Sequence, residues 1–113
     1  MTDKAIAFRG MFASLLVLTP TMAVADGLNA LVGHYGFNWL QDPNKAKCMP
    51  INENMVRTFG AKPYVCDLTP FKNTASGESA VKCSKNDNRV EYLIFDTKAG
   101  CDKERETQAA NGD

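Results

Sequence analysis

The chain has one histidine and one tryptophan in 113 residues. With His34 as the sole imidazole, a nucleophile–histidine pair or a multi-histidine metal site has a single residue to draw on. No sign of charge dominates, with 13 basic and 13 acidic residues scattered along the chain. That balance leaves no electrostatic footprint for nucleic acid or for an anionic membrane; Lys45 and Lys47 make a local pair, not a patch. No C-x-x-C pair occurs, which argues against a structural zinc site and a thioredoxin-like redox site. No phosphate-binding glycine loop and no calcium loop appears. No run reaches the roughly 20 apolar residues of a spanning helix. We therefore expect no metal and no cofactor.

The first 25 residues carry the pattern of a cleaved export signal. Lys4 and Arg9 supply a positive start, residues 11–18 a short apolar run, Pro20 a break, and Ala23-Val24-Ala25 the small residues of a cleavage site. No cysteine follows Ala25, so a bacterial-type lipid anchor is not indicated. Removing residues 1–25 from the 113 leaves 88, with no membrane insertion expected after cleavage. Lys4, Arg9 and Asp3 leave with the signal, which gives the mature chain a net charge of −1. The expected address is secreted or periplasmic.

An 88-residue chain buries a thin core, and small exported domains add covalent staples. Cys48, Cys66, Cys83 and Cys101 are an even set, separated by 17, 16 and 17 residues. They read as two disulfides with three connectivities open. The favoured pairing is Cys48–Cys66 with Cys83–Cys101, ahead of Cys48–Cys83 with Cys66–Cys101, because both strand cysteines share a face with apolar neighbours and each can reach a helix cysteine.

Local patterns predict a small disulfide-stapled α+β domain over residues 42–113, preceded by a loosely ordered N-terminal arm at 26–41. Gly27, Gly33 and Gly36 weaken any helix in that arm. Asp42-Pro43 starts a short turn carrying Ala46 and Cys48. A short helix is expected at about 52–59, capped by Asn52, with Met55, Val56 and Phe59 on one face and Gly60 taking a left-handed terminal position. A three-stranded antiparallel sheet follows at about 64–68, 80–84 and 89–95. The last two strands form a hairpin across the turn residues 85–88, and residues 69–79 read as a surface loop. Asp96 or Thr97 caps a C-terminal helix at about 97–110, poor in apolar residues, with Lys98–Asp102 and Asp102–Arg105 as exposed pairs and Cys101 as its tether. Glu104 and Glu106, beside Lys103 and Arg105, read as part of a solvated face.

Tyr35, Phe37 and Trp39 alternate with Gly36 and Asn38. In extended backbone the three rings face one way, as a platform for a sugar ring or a peptide, or as core for a domain short of apolar residues. Phe71 and Lys72, on a Pro-stiffened stretch, complete the candidate binding surface. His34 lies in Gly33-His34-Tyr35-Gly36, away from an evident nucleophile. The resulting expectation is a non-catalytic binding or interaction module of the cell envelope or extracellular space, its partner a protein or envelope component. An inhibitor of a secreted hydrolase, a small hydrolase pairing His34 with a carboxylate, and a purely structural envelope component are the alternatives.

Overall fold

The computed structural model describes residues 27–85 and 87–112; the expected signal segment lies outside the described residues. Five strands form one sheet: β1 (Tyr35–Asn38), β2 (Met49–Pro50), β3 (Val65–Phe71), β4 (Ala80–Ser84) and β5 (Glu91–Phe95). Their spatial order is β2-β1-β5-β4-β3, and every pairing is antiparallel. The three expected strands are β3, β4 and β5; the expectation of only three is corrected to five. The additional β1 comes from the segment read as an arm, and β2 follows the turn after it. Gly36 is the reason β1 fits where it does. A Cβ there would stand 3.0 Å from the Leu93 carbonyl oxygen and 3.1 Å from Ile94 Cγ1. The glycine that weakens a helix thus allows close packing in a strand.

β3 runs further than expected. Thr69-Pro70-Phe71 belong to it rather than to a loop. β3 is an edge strand, where proline leaves no interior ladder bond unmade. The register shifts between Asp67, opposite Lys82, and Phe71, opposite Ala80. This bulge sets Phe71 beside the start of β4. The β4–β5 hairpin closes with Lys85 N–H donating to Val90 O at 3.0 Å, and Asn88 takes the left-handed conformation at φ 59°, as its residue type favours.

Helix α1 (Glu53–Phe59) starts at Asn52, whose Oδ1 accepts the Met55 N–H at 2.9 Å. Gly60 ends it with a right-handed φ of −83° rather than a left-handed one. Ala61 N–H donates to Thr58 O and carries the chain onward in a right-handed turn. Helix α2 (Lys98–Asn111) starts at Thr97, whose Oγ1 accepts the Gly100 N–H at 3.0 Å.

The sheet separates two cores. On one face Leu31, Ile51, Val56, Phe59, Cys83 and Ile94 pack together beneath α1. Phe59 meets Tyr64 and Tyr92 at centroid distances of 5.3 and 5.4 Å. On the other face Phe37, Ala46, Ala80, Leu93, Phe95 and Cys101 pack beneath α2. Strand alternation sorts the side chains: Leu93 and Phe95 go to the α2 face, Tyr92 and Ile94 to the α1 face.

The disulfides are Cys48–Cys101 and Cys66–Cys83, which corrects the favoured pairing. Cys66 and Cys83 are direct partners in the β3–β4 ladder. Two strand cysteines that share a face and a register position bond to each other. Cys48 lies in the extended entry to β2, not in a helical turn, and from there reaches α2. Two disulfides fit an oxidising extracellular or periplasmic environment. Among the described residues no helix is long and apolar enough to cross a membrane.

Candidate functional site

Helix α2 covers only part of its face of the sheet. Beside it lies an open groove of about 570 Å³, within the size range of ligand sites. Its floor is the sheet surface of Phe71, Lys82, Glu91 and Leu93, with Trp39 at one lip. The opposite walls are the C-terminal half of α2, through Gln108 and Asn111, and loop 72–79.

Trp39 is held in place by the end of β1. Its backbone N–H donates to Glu91 O at 3.1 Å, and its indole N–H donates to Glu91 Oε1 at 2.8 Å. The preceding Asn38 is buried; its Nδ2 donates to Arg89 O, and its Oδ1 accepts the N–H groups of Leu40 and Glu91. Asn38 thereby rivets β1 to the start of β5 and fixes the backbone from which the indole projects. The ring stays 38% exposed, so its orientation is set while part of its surface faces the groove.

Lys82 and Glu91 lie on the same sheet face in diagonal positions, since Lys82 is opposite Leu93 and Ser84 opposite Glu91. Diagonal neighbours sit about 7–8 Å apart at the backbone, within reach of long side chains. No ion pair joins them among the described residues. Glu91 turns to Trp39, and the Lys82 ammonium lies 5.7 Å from the centroid of the Phe71 ring. The floor therefore presents a cation and a carboxylate apart, each beside an aromatic ring.

The loop wall is anchored from beneath by Glu104, which is 1% exposed. Its Oε1 accepts Ser76 N–H at 2.8 Å and Ser76 Oγ–H at 2.6 Å; its Oε2 accepts Ala75 N–H at 3.1 Å and Gln108 Nε2–H at 2.7 Å. Burial alone would push this carboxyl up, but the bonds from Ser76, Gln108 and Ala75 outweigh it and hold the group below its ordinary value of 4.5. Gly77 then turns the loop at φ +81°, and Thr74 Oγ–H donates to Glu78 O at 2.8 Å. The reading of Glu104 as solvated is corrected: a charged residue is buried here because donors of the loop backbone converge on it. No pattern in the helix sequence reveals those donors. Arg105 likewise donates to Pro43 O at 3.3 Å and lies 3.7 Å from Glu106, instead of pairing with Asp102, whereas Lys98–Asp102 forms at 2.7 Å.

Of the candidate binding residues, the fold brings Trp39 and Phe71 to one groove. Phe37 is fully buried, parallel to Phe95 with centroids 6.4 Å apart, and Tyr35 packs against the same core. Lys72 is exposed at the start of the loop. His34 lies 3.2 Å from Asp96 Oδ1. That pair closes one end of the β1–β5 ladder and Trp39–Glu91 the other, so His34 is remote from the groove. No hydroxyl bonds to His34 among the described residues, and all four cysteines are consumed in disulfides. The residues that sequence reading misses are Asn38, Lys82, Glu91, Glu104 and Gln108. Strand alternation could have placed Lys82 and Glu91 on the face of Leu93, and i,i+4 spacing could have paired Gln108 with Glu104; the loop donors to Glu104 had no local signal. No known protein family, curated protein or solved structure matches this chain.

Proposed function

We propose that this chain is an exported, non-catalytic binding module whose ligand sits in the groove between α2 and the sheet. The observation that carries this reading is the fixed, partly exposed Trp39 at the groove lip, held by Glu91 and facing a floor that contains Phe71 and Lys82. Ligand sites combine an apolar surface with a few placed polar groups, and a rigid site loses little entropy on binding. The two disulfides support export to an oxidising space, and the pattern of residues 1–25 supports delivery there by a cleaved signal. A catalytic role for His34 has less support, because its partner is an exposed carboxylate at the far end of β1.

Trp39 is the only tryptophan, so emission excited at the red edge, where the three tyrosines do not absorb, reports on the groove alone. Titration with a mixed tripeptide library and with a panel of neutral oligosaccharides tests the reading. A saturable change in Trp39 emission with one of the two, weakened in Phe71→Ala and retained in His34→Ala, is expected. Silence with both would remove the groove as a binding site. Intact mass of the exported protein before and after reduction tests the address: a chain starting at Asp26 with four thiols exposed only on reduction is expected.

A further inference from the structure

We propose that the groove ligand is a neutral saccharide, one pyranose face resting on Trp39 and its hydroxyls bridging Lys82 and Glu91. This rests on the binding reading above and names the ligand class. The groove offers an aromatic surface and several polar groups. Its aromatic surface suits an apolar face, since the π-cloud is electron-rich and attracts the polarised C–H bonds of a sugar ring. Its polar groups are of three kinds. Lys82 donates only, the Glu91 carboxylate accepts only, and the side-chain amides of Gln108 and Asn111 do both. A hydroxyl both donates and accepts, so hydroxyls on successive rings of an oligosaccharide can satisfy a lysine and a glutamate that lie apart. A peptide backbone can serve both as well, its carbonyl the lysine and its N–H the glutamate, but it lays no ring face of polarised C–H bonds on the indole; a pyranose brings both.

Charge decides between neutral and charged sugars. The groove floor holds one cation and one carboxylate, diagonal to each other and unbridged among the described residues. The third charge among the described residues of the lining, Glu104, is spent on the donors of Ala75, Ser76 and Gln108. An acidic sugar would gain Lys82 and meet Glu91; a cationic one would gain Glu91 and meet Lys82. A neutral polyhydroxylated chain pairs with both. The second oxygen of Glu91, not used by the Trp39 indole, remains as its acceptor.

The test is a titration of the mature, oxidised protein with the neutral trisaccharides cellotriose, maltotriose and N-acetylated chitotriose, read by Trp39 fluorescence and by backbone amide shifts. One of them is expected to saturate and to shift amides of β4, β5 and the end of β1. Glu91→Gln keeps an oxygen to accept the Trp39 indole but removes the charge; Lys82→Met keeps the stem on Phe71 but removes the ammonium. Each is expected to weaken that saccharide about tenfold, the loss for one charge-assisted hydrogen bond. Unchanged amide spectra away from the substitution show that both variants fold. Saccharide binding unaffected by either variant, or mapping elsewhere, overturns the proposal. Peptide binding at the groove with no response to saccharides overturns it while leaving the binding reading intact. Silence with both classes overturns both.

Discussion

The two faces of the sheet are built by different means. On the α1 face a seven-residue helix is held by aliphatic and aromatic packing, with Val56 and Phe59 buried against Ile51, Ile94 and Leu31. On the α2 face a helix of 14 residues buries only Gly100, Cys101 and Glu104. The longer helix is the less apolar, and its hold comes from one covalent bond to Cys48 and one carboxylate under loop 72–79. The opening on the α1 side, about 560 Å³, lies between α1 and residues 32–33 and not between helix and sheet. A helix fixed at a few points can stand away from the sheet and leave a groove.

The largest effect expected is on the packed face. Phe59→Ala removes the ring that meets Tyr64 and Tyr92, and truncating a buried phenylalanine costs about 3–5 kcal/mol. Denaturant unfolding should show one earlier transition for the whole domain. A loss below about 1 kcal/mol would mean that the α1 face is not the better-packed side.

The disulfides come next. Replacing Cys48 and Cys101 with alanine opens a 53-residue separation, against 17 for Cys66 and Cys83. The chain-entropy model gives about 4 and about 3 kcal/mol for loops of these lengths. The difference in kind matters more than the difference in size. Without Cys48–Cys101, amide protection should fall selectively in α2 and loop 72–79 while α1 keeps its own. Without Cys66–Cys83, the edge strand β3 should loosen and α2 should stay. Uniform loss in both variants would erase the distinction between the faces.

Much of the scaffold was legible in the sequence, and the reasons differ from one element to the next. Asn52 and Thr97 were readable as caps, because capping is a contact between residues three apart. β4 and β5 were readable from alternation and from the turn chemistry between them. β1 was hidden because Gly36, a poor strand residue by itself, is required only by the closeness of Leu93 and Ile94. The disulfide pairing was hidden because it depends on the β3–β4 register, which a sequence does not state. Of the three rings of the aromatic platform, Trp39 stands open at the groove, Tyr35 packs against the core, and Phe37 lies under α2. Glu104 was the least visible, since its loop donors lie 28 and 29 positions away.

Glu104→Gln tests the point-fixed face directly. The amide keeps one acceptor oxygen and turns an NH₂ toward donors, so it breaks charge-assisted bonds, each worth about 1.5–3 kcal/mol. A loss of about 2 kcal/mol is expected, with deprotection of the Ala75 and Ser76 amides. The pH dependence has a definite sign. The folded carboxyl lies below its ordinary value of 4.5, so in acid the unfolded chain takes up the proton first. The stabilisation is complete above the ordinary value and fades as pH falls through the lower folded one. Unfolding midpoints measured down the acid range should drop more steeply for the parent than for Glu104→Gln. Parallel curves would show that the loop wall does not depend on the ionised carboxylate.

The smallest effect is expected on the outer side of α2. Lys98 and Asp102 lie 2.7 Å apart at positions i and i+4, and the bond that Lys98 donates to Asp102 raises the Lys98 pKa. Both groups face water, where screening and side-chain entropy cancel most of the attraction. Lys98→Ala should therefore leave the unfolding midpoint within experimental error. It should also leave the protection of loop 72–79 unchanged. A measurable loss of either would mean that α2 draws stability from its charged surface, and that Cys101 and Glu104 are not its principal attachments. No change, set beside the losses expected for the Cys48–Cys101 and Glu104 variants, would place the hold on the inner face alone, at the two residues that also fix the wall of the groove.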